Sequence, residues 1–140
     1  ALYSERLADE LGLYPTPLDR IGLYSDQIAR ASRLVMDSGL HTMGWTRQQA
    51  VDYMMDNSGW AAVDIQNEID RYISWPGQAT SYMLGMIELR RLRTLAESRL
   101  GEGFDLRGFH DRVVSMGSIT LPMLKESVTD WITEEQGAEQ

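Results

Sequence analysis

The stretch "TPLDRIGLYSDQIARASRLVMDSG" (residues 16–39) decides the fold class, because it reads as one long amphipathic helix. Thr16 can cap this helix, Pro17 suits its first position, and Asp19 can complete a capping box. The apolar residues then recur at helical spacing, at Leu18, Ile21, Ile28, Ala31, Leu34 and Val35. Gly39 predicts the end of the helix.

Helical signals also dominate the rest of the chain. "TRQQ" (46–49) is a second capping-box candidate, and Asp105 can cap a later helix. The other helices are expected at about 2–11, 46–57, 61–72, 78–100, 105–117 and 120–133. No alternating strand pattern stands out, so the sequence predicts an all-α protein with six or seven helices. We expect a single helical subdomain over 1–133 and a frayed acidic tail over 134–140.

Composition excludes several functions. At 140 residues the chain is one domain at most, and its 43% of hydrophobic residues can form a sizeable core. The net charge of -8 argues against a nucleic-acid partner, which needs a positive face. No apolar run is long enough to span a membrane. The absence of cysteine excludes disulfides and cysteine metal sites, but it does not fix the compartment.

A polar stripe marks the helix expected over 78–100. Gln78, Ser81, Tyr82 and Gly85 fall on one face of a helix whose first half is apolar nearly all round. Such a helix is expected to be buried on most sides. The stripe is either an internal hydrogen-bond network with close packing at the glycine, or the lining of a cleft.

Charged residues share a face near the end of the helix over 16–39. Arg30, Arg33 and Asp37 lie at i, i+3 and i+7, and Arg33 and Asp37 form a possible i,i+4 pair. One reading is an ordinary solvated face. The other is that this pair fixes the helix end, so that His41 projects from the following loop into a site.

The segment "RYISWPGQATSY" (71–82) predicts a polar corner. Its proline–glycine turn can bring Arg71, Tyr72, Gln78 and Tyr82 together, and such groups bind carboxylates and polarise carbonyls. The chain has only two histidines and no HExxH pattern, no phosphate loop and no Ser-His-Asp signature. From its residues alone, the sequence describes an acidic helical domain without a catalytic centre of its own.

Four strings resemble a known family. They are "ALYSERLADELGLY" (1–14), "RASRLVMDSGLH" with Trp45, "RYISWPGQATSY" with Gly85, and "FDLRGFHD" (104–111). Together, in this order, they resemble the C-terminal part of the bacterial family called domain of unknown function 885. The resemblance extends over nearly the whole chain, to about Trp131.

Members of that family resemble helical zinc metallopeptidases of the gluzincin kind. The resemblance implies zinc in the complete protein, held by an HExxH helix and by the glutamate of a motif like EGWALY. This chain begins at the Ala of that motif, so no zinc ligand is expected in it. Glu5 would stand behind the ligands, together with Arg33 and Asp37.

The resemblance also implies roles for the polar corner. His41, Tyr72 and Tyr82 would bind the scissile carbonyl and stabilise the oxyanion, and Arg71 and Gln78 would anchor the peptide substrate. We expect Tyr72, Tyr82, Gln78 and His41 to converge on one cleft.

Two functions stay open at this point. One is the substrate-side, C-terminal portion of a zinc peptidase, inactive alone, whose partner is the missing N-terminal part of the same protein. The other is a non-catalytic helical interaction or scaffold module. The first reading predicts an exposed apolar surface where the missing part docks, and no tight zinc binding by the isolated chain.

Overall fold

The computed structural model describes residues 1–138, and this part of the chain is all-α. Seven α-helices and one short 3-10 turn, Gly101–Gly103, account for its regular structure. The helices are α1 (Leu2–Glu10), α2 (Pro17–Thr42), α3 (Arg47–Asn57), α4 (Ala62–Ser74), α5 (Ser81–Leu100), α6 (Leu106–Ser115) and α7 (Leu121–Ala138). The predicted fold class is confirmed. None of these helices is both long and apolar enough to cross a bilayer.

The predicted caps fix where three helices begin. Thr16 and Asp19 form a reciprocal capping box at α2, and Thr46 and Gln49 form another at α3. The carboxylate of Asp105 accepts two backbone N–H groups at the start of α6. These bonds satisfy donors that the first turn of a helix cannot pair internally, so the local sequence determines these boundaries.

The end of α2 was predicted wrongly. The helix continues through Gly39 to Thr42, so His41 lies in its last turn and not in a loop. A Cβ atom at Gly39 would overlap the indole ring of Trp45. This glycine therefore serves the close approach of an aromatic ring, and it does not end the helix.

Two other helix ends differ from the prediction. α5 begins at Ser81, because Gly77 adopts a left-handed φ of 81° in the turn that precedes it. α7 runs on to Ala138, through most of the segment expected to fray, and residues 139 and 140 lie outside the described part. The first half of α5 is less buried than predicted, since Leu84 and Ile87 are 43% and 52% exposed.

Contacts between residues divide the chain into two compact units, Ala1–Met86 and Ile87–Gln140. In the first unit, α2, α3 and α4 pack around a core that includes Ala29, Met36, Ala50, Val51, Met54, Ile65, Ile69, Tyr72 and Ala79. In the second, the rings of Phe104, Phe109 and Trp131 pack against one another. This division does not test the expectation of a single subdomain over 1–133, which stays a prediction.

Candidate functional site

The carboxylate of Glu68, on α4, is the centre of a polar network in the first unit. Its Oε2 accepts hydrogen bonds from Nη2 of Arg33 at 2.9 Å, from Nη2 of Arg71 at 2.8 Å and from the hydroxyl of Tyr72 at 2.7 Å. Its Oε1 accepts a fourth bond, from Nε of Arg71 at 3.0 Å. The two bonds from Arg71 form a bidentate pair, the strongest geometry for a guanidinium and a carboxylate.

The network extends from Arg71 across the turn to α5. Nη1 of Arg71 donates to Oε1 of Gln78 at 2.6 Å, and Nε2 of Gln78 donates to the Tyr82 hydroxyl at 3.4 Å. Because a guanidinium only donates, the amide of Gln78 must turn its oxygen to Arg71 and its NH₂ to Tyr82. The Tyr82 oxygen is thus an acceptor in this bond, and a phenol that accepts keeps its own proton for a further hydrogen bond.

Arg33 enters this network from α2 and is enclosed by aromatic rings. Its guanidinium carbon lies 5.3 Å from the ring centre of Trp60, 5.9 Å from that of Tyr72 and 5.1 Å from that of Tyr82. The residue is 9% exposed, and its buried Nε has no hydrogen-bond partner in the described part of the chain. Cation–π contacts and the bond to Glu68 together hold the charge in place.

The network shifts the pKa values of two of its members. The hydrogen bonds from Arg71 hold the pKa of Glu68 below its usual range, and the charge of Arg33 acts in the same direction. Burial raises the pKa of Tyr72 far above its ordinary value, and the bond to the Glu68 carboxylate raises it further. Glu68 is therefore an anion and Tyr72 a neutral phenol at any physiological pH.

Asp37 and His41 have partners that the sequence did not predict. Both oxygens of Asp37 accept from the backbone N–H of Gly77, at 3.0 and 3.1 Å. The possible pair between Arg33 and Asp37 does not form, because Glu68 bonds to the guanidinium and the turn at Gly77 bonds to the carboxylate. Nε2 of His41 lies 3.0 Å from the carbonyl oxygen of Tyr72, near the C-terminus of α4, and donates to it.

The predicted site residues are therefore connected, but not all in the same way. Tyr72, Gln78 and Tyr82 belong to one side-chain network through Arg71 and Glu68. His41 bonds to the main-chain carbonyl of Tyr72, at the opposite end of that residue from the phenol. The convergence of all four on one cleft stays a prediction.

Two other predicted positions have simpler surroundings. Glu5, on α1, forms an ion pair with Arg30 at 3.1 Å, which ties α1 to α2. A Cβ atom added at Gly85 would meet no atom within 4 Å, so the close packing suggested for this glycine is not found within the described residues. Ser81 is exposed, and its hydroxyl donates to the carbonyl of Gln78.

An open pocket of about 520 Å³ borders the network. Arg33 and Glu68 line it together with Trp60, Asp64 and Asn67. Glu68 and Trp60 were missed by the sequence analysis, although one signal was available for Glu68. It stands three residues before Arg71 and four before Tyr72, the spacing that places side chains side by side on a helix.

The described residues do not fit a zinc site. Residues 1–138 contain no group of three or more His, Cys, Asp or Glu side chains placed to hold a metal ion. The carboxylate at the centre of the network is already saturated with hydrogen-bond donors, which leaves it unsuited to a cation. No step of a reaction is therefore assigned to a metal in this chain.

Comparison with known proteins gives a family. The profile of the family described as "Bacterial protein of unknown function (DUF885)" matches residues 1–128. None of the curated proteins matches the chain. A similar solved structure is "The crystal structure of the putative lipoprotein from Colwellia psychrerythraea", with 45% identity and a TM-score of 0.93. The match takes in 95% of this chain but only 23% of that one, so the present chain spans less than a quarter of its relative's length.

Proposed function

The chain belongs to the bacterial family of unknown function DUF885, and on that premise we propose that its first unit forms the substrate-side wall of a larger peptidase. Residues outside this chain would supply the catalytic centre. The resemblance to gluzincin-type zinc metallopeptidases supports the reaction class. The relative's greater length supports a larger protein, because this chain matches only 23% of it. Zinc in the complete protein is part of the proposal, with its ligands outside residues 1–138.

The observation that carries the proposal is the Tyr82 hydroxyl, whose oxygen accepts from Gln78 at 3.4 Å and which can therefore still donate its own proton. Gln78 donates to the Tyr82 oxygen, and Arg71 fixes the orientation of that amide. A phenol held in this way can donate to a carbonyl oxygen as negative charge develops on it, without reorganising first. Tyr72 differs, because it is 1% exposed and its proton is bound to Glu68.

The other residues then have positioning or anchoring roles. Glu68 holds Arg71 by two hydrogen bonds, the Tyr72 ring lies 4.9 Å from the Arg71 guanidinium carbon, and Arg71 holds Gln78. Arg71 uses three of its five N–H groups in these bonds, so two stay available on a side chain that is 28% exposed. In this proposal they anchor an oxygen of the peptide backbone or of its C-terminal carboxylate. His41 fixes the end of α4 behind Tyr72.

Peptide hydrolysis by the polypeptide as its gene encodes it tests this assignment. We expect Tyr82→Phe to lower kcat by roughly 10²–10³-fold with little change in KM, the usual loss for one oxyanion donor. Tyr53→Phe is the matched control, since this ring packs against Trp45 outside the network. Unchanged turnover in Tyr82→Phe would remove Tyr82 from the site. An unmodified protein that hydrolyses no peptide would overturn the peptidase assignment and favour the scaffold module.

A further inference from the structure

A seam of apolar side chains runs along the solvent side of α2. Ile21, Tyr24, Ile28 and Val35 are 63%, 45%, 52% and 39% exposed, and Ala31 lies between them with partial exposure. These five positions follow one another at steps of three, four, three and four residues. They therefore lie in one narrow stripe on the helix surface. The core residues of α2, such as Ala29 and Met36, lie on a different face.

This spacing is the one that two helices use to pack along each other. In a coiled coil, apolar residues that recur at alternating spacings of three and four positions form the contact surface between the helices. At 1.5 Å per residue, the seam from Ile21 to Val35 is about 21 Å long. Single exposed apolar side chains are normal on a protein surface. Four exposed apolar side chains in helical register, with a partly buried alanine between them, form a contiguous apolar surface of the kind that interaction sites present.

A groove beside the seam contains an exposed carboxylate, that of Asp56. The groove has a volume of about 460 Å³ and lies between Ile21, Tyr24 and Ile28 of α2 and the end of α3, from Asp56 to Gly59. The carboxylate of Asp56 is exposed and has no partner among residues 1–138. A helix lying on the seam would bring one of its side chains to this carboxylate, where a basic group fits best.

We propose that a helix of the same polypeptide, outside residues 1–140, packs along this seam with an apolar face of the same spacing and a basic side chain at Asp56. The relative, 45% identical over this region, has a chain more than four times as long as the matched part, which supplies the length for such a helix. A second copy of this chain fits less well, because its net charge of -8 would meet the same charge at Asp56. The proposal rests on the larger protein of the previous section and not on its catalysis.

Thiol labelling tests the proposal, because the chain has no cysteine of its own. Ile28→Cys places a thiol in the seam, and Gln66→Cys places a control thiol at an exposed polar position of α4. Both variants are made in the polypeptide as its gene encodes it. Maleimide modification of each site is followed by mass spectrometry of the peptide that carries it, and light scattering gives the oligomeric state.

We expect the Ile28→Cys site to react at least about tenfold more slowly than the Gln66→Cys site in a monomer, because a covered thiol reacts only when the structure opens. Adding Asp56→Lys should raise the rate at Ile28→Cys severalfold by repelling the basic group. Equal rates at the two sites would overturn the proposal, and so would protection that disappears on dilution of a dimer. If Asp56→Lys left the rate of maleimide modification at Ile28→Cys unchanged, the proposed basic side chain at Asp56 would be contradicted. Turnover is not a readout, so a failed peptidase assignment leaves this test intact.

Discussion

The network around Glu68 is half-buried and the aromatic cluster around Phe109 is buried, and the two are built in opposite ways. Phe109 is fully buried against Phe104 and Trp131, and it needs no specific partner for its surface. Glu68 holds two guanidinium groups and a phenol, and each of these loses a bond if the carboxylate is lost. Packing of apolar rings would stabilise a core as well or better.

The difference shows what each region contributes. The aromatic cluster tolerates changes that preserve volume, because the hydrophobic effect has no direction. The Glu68 network tolerates little change, because its bonds fix the positions of Arg71, Gln78 and Tyr82. Such a half-buried network fixes the positions of its side chains but adds little to the free energy of unfolding, which is typical of functional sites.

The largest difference in unfolding free energy between the two regions should come from replacing the central residue of each. Glu68→Gln preserves size but removes the charge that faces Arg33 and Arg71, so we expect a loss of roughly 2–3 kcal/mol in the free energy of unfolding. Phe109→Leu should cost about 1–1.5 kcal/mol, because it keeps an apolar side chain in place but loses part of its volume. Urea unfolding measures both. A larger loss for Phe109→Leu than for Glu68→Gln would contradict the comparison.

A glycine pair sharpens the same contrast on α2, the helix that carries Arg33. Gly39→Ala drives a methyl group into the Trp45 ring, and we expect a net loss of roughly 1–3 kcal/mol. Gly22→Ala, in the same helix with nothing within 4 Å of the added Cβ, should stabilise by about 0.5–1 kcal/mol through helix propensity. Thermal unfolding of the two variants checks this, and equal effects would show that Trp45 simply moves aside.

The smallest expected effect is on the loss of stability at acid pH. The bonds from Arg71 lower the pKa of folded Glu68 below its ordinary 4.5. This stabilisation is therefore complete above a pH of about 4.5 and is lost as the pH falls through the folded pKa. Glu68→Gln should flatten the acid side of the stability curve. Glu126→Gln is the control, because Glu126 is exposed and has no partner among residues 1–138. Parallel acid curves for Glu68→Gln and the unmodified protein would contradict this role.

The sequence predicted what depends on neighbours along the chain. The caps at Thr16, Thr46 and Asp105 were confirmed, because a capping bond joins residues within one turn. The Arg33–Asp37 pair that the spacing allowed does not form. Arg33 bonds instead to Glu68, which stands 35 residues away in the sequence and is brought close only by the fold. The prediction that α2 ends at Gly39 was wrong for a similar reason. A glycine that ends a helix and one that admits a distant ring look the same in sequence.

The two tyrosines of the network test the central claim most directly, because Tyr72 is buried with its proton bound to Glu68, whereas Tyr82 is partly exposed and accepts from Gln78. Peptide turnover and unfolding free energy are measured on Tyr72→Phe and Tyr82→Phe. We expect Tyr72→Phe to lose about 1–3 kcal/mol of stability, since Glu68 then lacks a buried donor. Tyr82→Phe should keep its stability and lose roughly 10²–10³-fold in kcat. A Tyr82→Phe protein with full turnover, or one that unfolds as easily as Tyr72→Phe, would contradict the account.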